Sequence, residues 1–343
     1  MVSVSDLAKW KVHGPVKSVK SSHATWDPAS EGWTESGPVN FAWFRHDGKL
    51  SKTEARNPDG SVCFCEWQCD ETGQATGLLS GMRGGEIGET RYLYDEHGRH
   101  VKTVVIEPDG SAADSETYNY DDAGRKTKTK FLRNPRFNVS YSIEGTSTAV
   151  GCPGATAIST TYDDDNLPSE VCFLNVDGKL IERVTLLRDE AGRLLKEEVT
   201  MIGSPPWHGM YFGEHQEAAE AAISQIFADA FSSTSYTYDA RRRLVERDHR
   251  MGTLGEDRTI YRYEDRDDAV EETTEHTTRE ASLNEDGTIR YSPGTSNVQH
   301  NRFDYIYDSH GNWTSRTVSF RLEPESAFGL SNIERREIEY YVP

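Results

Sequence analysis

Three cysteines crowd into seven residues, Cys63, Cys65 and Cys69, and with His46 upstream they offer the thiolates and imidazole that zinc takes. The spacing matches no common zinc knuckle, and Cys63 and Cys65 share one side of a strand, so they read as ordinary thiols. Asp163-Asp164-Asp165-Asn166 gathers hard oxygens of the kind calcium prefers. It lacks the glycine and the distal glutamate of a calcium loop, which makes it a solvated turn. Gly81, Gly84, Gly85 and Gly88 have the look of a phosphate loop, but no helix follows and they fall in a turn slot. His97 and His310 hold equivalent turn positions in remote stretches, which repetition explains better than catalysis. No nucleophile elbow, zinc-protease motif or lysine-containing phosphate loop occurs, so the chain reads as non-enzymatic, with no metal and no cofactor.

Aromatic rings carry what chemistry remains. Trp26, Trp33, Trp43 and Trp67 supply ring-stacking surface near the N-terminal end. Trp207, His208 and Tyr211 stand in an irregular stretch, where with a neighbouring helix they would either cover the sheet or form a lid. These seven are the candidate ligand-binding residues.

The elements that must position them follow from an internal repeat. Tyr92-x-Tyr94-Asp95-x-x-Gly98-Arg99 recurs as Tyr118-x-Tyr120-Asp121-x-x-Gly124-Arg125, with the aspartates 26 residues apart. Steps of 25 back from Asp95 reach Asp70 and then Arg45, where Cys69 occupies the place of Tyr94 and Tyr120. Forward matches occur at Tyr162-Asp163, Asp189, Tyr238-Asp239, Tyr263-Glu264 and Tyr307-Asp308, with Tyr340-Tyr341 as a frayed end. Two tyrosines two apart point to one face of a strand. The Asp then caps turn N–H groups, and the Gly accepts the positive φ of a tight reversal. Each unit is therefore two strands and two turns, and a single hairpin cannot bury its own face. The predicted fold is mainly β: stacked antiparallel hairpins forming a twisted or curled sheet, with one inserted helix over 214–231, whose apolar residues fall at helical spacing.

These residues resemble the Rhs, or YD-repeat, family, named for the Tyr-Asp pair and its following Gly-Arg. The resemblance runs from about Phe41 to Asn312 and is densest at Tyr92 to Arg125. It implies a repeat scaffold of the kind that forms shells around toxins or cell-surface adhesion modules, some binding carbohydrate. The Asp-Pro-x-Gly cleavage segment of shell-forming members has no counterpart, since the one Asp-Pro is Asp27-Pro28. The chain is expected to be a short, repeat-only member without a toxin segment.

Residues 1–40 are assigned to a cap with the first strands and 41–343 to the repeats, with insertions at about 133–159, 201–235 and 276–301. With 57 acids against 38 bases the formal charge is −19, which argues against nucleic acid. No apolar run long enough for a membrane span or secretory signal occurs, and an odd count of five cysteines, three of them crowded into seven residues, suits a reducing compartment. The expected role is a non-catalytic scaffold presenting an acidic, aromatic-rich surface to a protein or glycan, in the cytoplasm unless exported without an N-terminal signal. Two other roles remain open. One is an accessory or partial-shell component of an Rhs-like toxin system, and the other a carbohydrate-active enzyme with carboxylates near Trp207 as acid and base.

Overall fold

The computed structural model describes residues 6–132, 139–142, 149–152, 154–202, 231–252, 254–283 and 289–342. Two compact units divide the chain: unit 1 holds residues 1–114 and 301–343, unit 2 residues 115–300. A four-residue helix α1 (Asp6–Lys9) precedes strands β1 (Val16–Asp27), β2 (Gly32–Phe44), β3 (Leu50–Arg56), β4 (Val62–Cys69), β5 (Ala75–Met82), β6 (Ile87–Tyr94) and β7 (His100–Ile106). Next come β8 (Ala112–Tyr120), β9 (Lys126–Phe131), a ribbon of β10 (Val139–Ser142) and β11 (Ala149–Cys152), β12 (Ala157–Tyr162), β13 (Pro168–Leu174), β14 (Leu180–Arg188) and β15 (Leu194–Met201). Then follow β16 (Phe231–Tyr238), β17 (Leu244–Met251), β18 (Gly255–Tyr263), β19 (Ala269–Thr278) and a second ribbon of β20 (Ala281–Leu283) and β21 (Ile289–Tyr291). β22 (Thr295–Tyr307), β23 (Trp313–Arg321) and β24 (Gly329–Tyr340) complete the order.

Period-two patterning decides which face each strand buries. In unit 2, Val171 and Phe173 of β13 and Val184 and Leu186 of β14 point to one side and pack with Ile158, Leu194 and Tyr236. The other side of β13 and β14 carries the ion pair of Arg183 with Glu170, and β17, β18 and β19 carry those of Arg258 with Glu246 and Arg262 with Glu271. In unit 1, Val16 and Val19 of β1 and Ala42 and Phe44 of β2 pack under Val12, Trp10 and Leu7, so the N-terminal segment covers that core.

The reversals share one geometry. Asp95 Oδ1 accepts the backbone N–H groups of His97 and Arg99, each at 2.9 Å, while Arg99 Nε donates to Oδ2 at 2.7 Å. Asp121, Asp189 and Asp239 repeat it with Arg125, Arg193 and Arg243. The Arg99 backbone N–H, and then its guanidinium, hold the Asp95 carboxyl below the usual carboxylate range. Gly98 closes the turn at φ 72°, a conformation that a Cβ would strain.

The expectation of stacked hairpins in a twisted or curled sheet, with one inserted helix, is corrected here. Twenty strands belong to one antiparallel sheet, and in unit 1 the first strand pairs on one side with β2 and on the other with the last strand, β24. First and last strands are thus hydrogen-bonded neighbours in the sheet. The physical reason is edge satisfaction: a stack of hairpins ends in two rows of unpaired N–H and C=O groups, and joining first strand to last removes both. Tyr340 and Tyr341 are no frayed end, since Tyr340 pairs with Val16 and the Tyr341 hydroxyl donates to the Phe44 carbonyl at 2.6 Å. Among the described residues α1 is the one helix, and the expected helix over 214–231 lies outside them.

Candidate functional site

Four of the repeat tyrosines share one task. Tyr162 donates its hydroxyl to the Lys126 carbonyl at 2.7 Å, Tyr238 to Leu194 at 3.0 Å and Tyr263 to Leu244 at 2.8 Å; Tyr94 does the same to Ala75. Each acceptor stands two residues after the positive-φ residue of the preceding turn: Gly73, Gly124, Gly192 and Arg242. In three of the four the residue between supplies a cation over the ring, with Arg125 at 5.0 Å from Tyr162, Arg193 at 5.1 Å from Tyr238 and Arg243 at 4.6 Å from Tyr263, while the Tyr94 slot has Gln74 there. A hydroxylated ring, a carbonyl acceptor and a covering cation therefore form a slot that the next unit's tyrosine fills.

In the first such slot the ring is missing. Cys69 stands where the tyrosine would be, Leu50 is the counterpart of the residue whose carbonyl accepts and Lys49 of the covering cation. A cavity of about 240 Å³ opens there, lined by Asp6, Arg45, Lys49, Leu50, Trp67, Cys69, Gly73 and Ala75. α1 and the turn between β2 and β3 form one wall, with Asp6 Oδ2 accepting the Leu50 N–H at 2.8 Å. The turn between β4 and β5 forms the other. Arg45 occupies the usual aspartate position and reaches across, donating to Cys69 Sγ at 2.9 Å and to the Gly73 carbonyl at 2.8 Å while pairing with Asp47. The half-buried indole of Trp67, the Cys69 side chain and two cations, Arg45 and Lys49, thus face one opening.

The seven sequence-derived ligand residues do not converge. Trp67 lines the cavity. Trp43 pairs with Ser18 and with Lys52, on the opposite face of the sheet from Trp67; it stacks on Phe41 with Lys52 over its ring. Trp26 and Trp33 are cross-strand neighbours at the far end of the β1–β2 hairpin, edge to face at 5.1 Å. Trp207, His208 and Tyr211 lie outside the described residues. His46 stacks on Tyr341 at 3.6 Å between centroids. Asp163 Oδ1 accepts the backbone N–H groups of Asp165 and Leu167, using its carboxylate as a turn cap.

Sequence reading passed over one polar row in unit 2. By register, Glu197, Thr234, His249, Asp257 and His276 lie side by side across five strands on the core face. Thr234 Oγ1 and His249 Nδ1 are 2.8 Å apart, Asp257 bonds His276, and Tyr236 donates to Glu197 at 3.5 Å. Burial raises the Glu197 pKa against the Tyr236 bond and Arg247, and burial lowers that of His249. Glu197 and Thr234 are each 2% exposed, so no substrate reaches them. A lone Glu or His within a polar, alternating strand gives no sequence signal of this.

No family model matches the chain, and no curated protein does. Solved structures similar to it include a porin-like protein from Bacteroides uniformis, at 12% identity and a TM-score of 0.30 over 95% of this chain and 97% of that one. A Photorhabdus luminescens Tc holotoxin pore aligns at 11% identity and 0.24 over 92% of this chain, and TcdB2-TccC3 without its hypervariable C-terminal region at 13% and 0.25 over 90%. The chain spans 18% of each of those two. At such TM-scores these likenesses carry no argument about fold or activity.

Proposed function

We propose that this chain is a non-catalytic β-structured binding module whose ligand site is the Cys69 cavity, taking a protein or glycan partner. One observation carries the reading: a recurring internal slot, filled by the protein's own tyrosine at four other places, is left open at Cys69 and lined by Trp67, Arg45 and Lys49.

The module works in water. Among the described residues no helix is long and apolar enough to cross a membrane, which leaves strands to be considered. The exposed face of unit 2 carries the Arg183, Arg258 and Arg262 ion pairs, and each such arginine would cost about 2–4 kcal/mol at a bilayer midplane.

A glycan array and an immobilised-peptide array, probed with the full chain, test the reading. Ligands found should bind the Trp67→Ala variant at least about tenfold more weakly and Trp43→Ala within about twofold, because truncating a central aromatic anchor costs 2 kcal/mol or more. Equal loss in both variants, or no ligand at all, would contradict the assignment.

A further inference from the structure

We infer that the Cys69 cavity selects a phenol ring, the side chain of tyrosine or a small molecule that shares its chemistry, over a sugar or an unsubstituted aromatic ring. This rests on the binding-module reading and names what the site takes. The repeat itself defines the missing shape. Tyr94, Tyr162, Tyr238 and Tyr263 each place a phenol with its hydroxyl on a carbonyl two residues past the turn. For three of them an arginine lies over the ring. At Cys69 the walls of that arrangement persist, with Leu50 and Lys49 in the acceptor and cation places and Trp67 where Tyr92 stands in the next unit. A phenol entering from outside would give its O–H to the Leu50 carbonyl and its ring faces to Lys49, Arg45 and Trp67. Toluene would leave the hydrogen bond unmade, and a pyranose has no π face for the two cations.

Protein-observed NMR of the full chain, titrated separately with p-cresol, toluene and methyl glucoside, tests the selection. Shifts confined to residues lining the cavity are expected with p-cresol, at an affinity at least about tenfold above the other two, since a missing hydroxyl at a site built for it costs 1 kcal/mol or more. Adding an acetylated, amidated Gly-Lys-Tyr-Lys-Gly peptide separates the sources: tighter binding than p-cresol marks a tyrosyl side chain, and equal or weaker binding a free phenol. Methyl glucoside binding at the cavity without p-cresol would overturn the inference and leave the module standing. Toluene binding as well as p-cresol would also overturn it. Failure of all three at the cavity would overturn the inference and the binding reading together.

Discussion

Single titratable side chains pull this fold in opposite directions as pH changes. The turn aspartates, Asp95, Asp121, Asp189 and Asp239, have carboxyls held below their unfolded values, so the stability they add is present above an unfolded pKa near 3.9 and lost as pH falls through their folded values. Glu197 has the reverse sign. Burial raises its folded pKa, so its contribution is fully present below the unfolded value and disappears as pH rises through the folded one. Glu197→Gln, which keeps an oxygen for the Tyr236 hydroxyl, should raise the urea midpoint relative to wild type at pH 8 and leave it unchanged near pH 3.5. Destabilisation at pH 8 would mean that the Arg247 attraction outweighs burial. None of this was legible in the sequence, where Glu197 is one acid among many, whereas the capping role of the aspartates could be read from their fixed place before a glycine.

At the scale of elements, the structure departs from the repeat where it does something particular. Asn312 stands where other turns carry the arginine, and it is 1% exposed. Its Oδ1 accepts the His13 N–H at 2.7 Å, and its Nδ2 donates to the His13 carbonyl at 2.9 Å and to the Tyr340 hydroxyl at 2.7 Å. One side chain thus fastens the segment before β1 to the end of β24. Burial and the neighbouring Asp308 push the Tyr340 pKa up to about 12, so its hydroxyl stays protonated. Asn312→Ala should cost about 1–3 kcal/mol by urea denaturation, because it removes the partner of the part-buried backbone N–H and C=O of His13, and hydrogen exchange should rise first over residues 12–16. A loss no larger than that of an exposed Asn→Ala change would show that the seam is held elsewhere. The antiparallel strands and their reversals were legible from period-two tyrosines and the Asp-to-Gly spacing. The pairing of β1 with β24 was not, because register between strands some 300 residues apart leaves no local periodicity.

For the molecule as a whole, the pairing of first and last strands and the Cys69 cavity are linked. With β1 and β24 each paired on both sides, neither offers an open edge to a partner, and recognition falls to irregular positions. The sequence marks this one openly: Cys69 breaks the Tyr-Asp pair and Arg45 replaces an aspartate. What it hides is that the two departures face each other across adjacent turns and leave a hole between them. The thermal midpoint of the Cys69→Tyr variant tests this account most directly. If Cys69 occupies a vacant tyrosine slot, the new ring fills it, and the midpoint should rise by about 1–2 °C, as for a gain near 1 kcal/mol in a chain of this length. A fall of similar size, the mark of a ring forced into a space not shaped for it, would contradict the account.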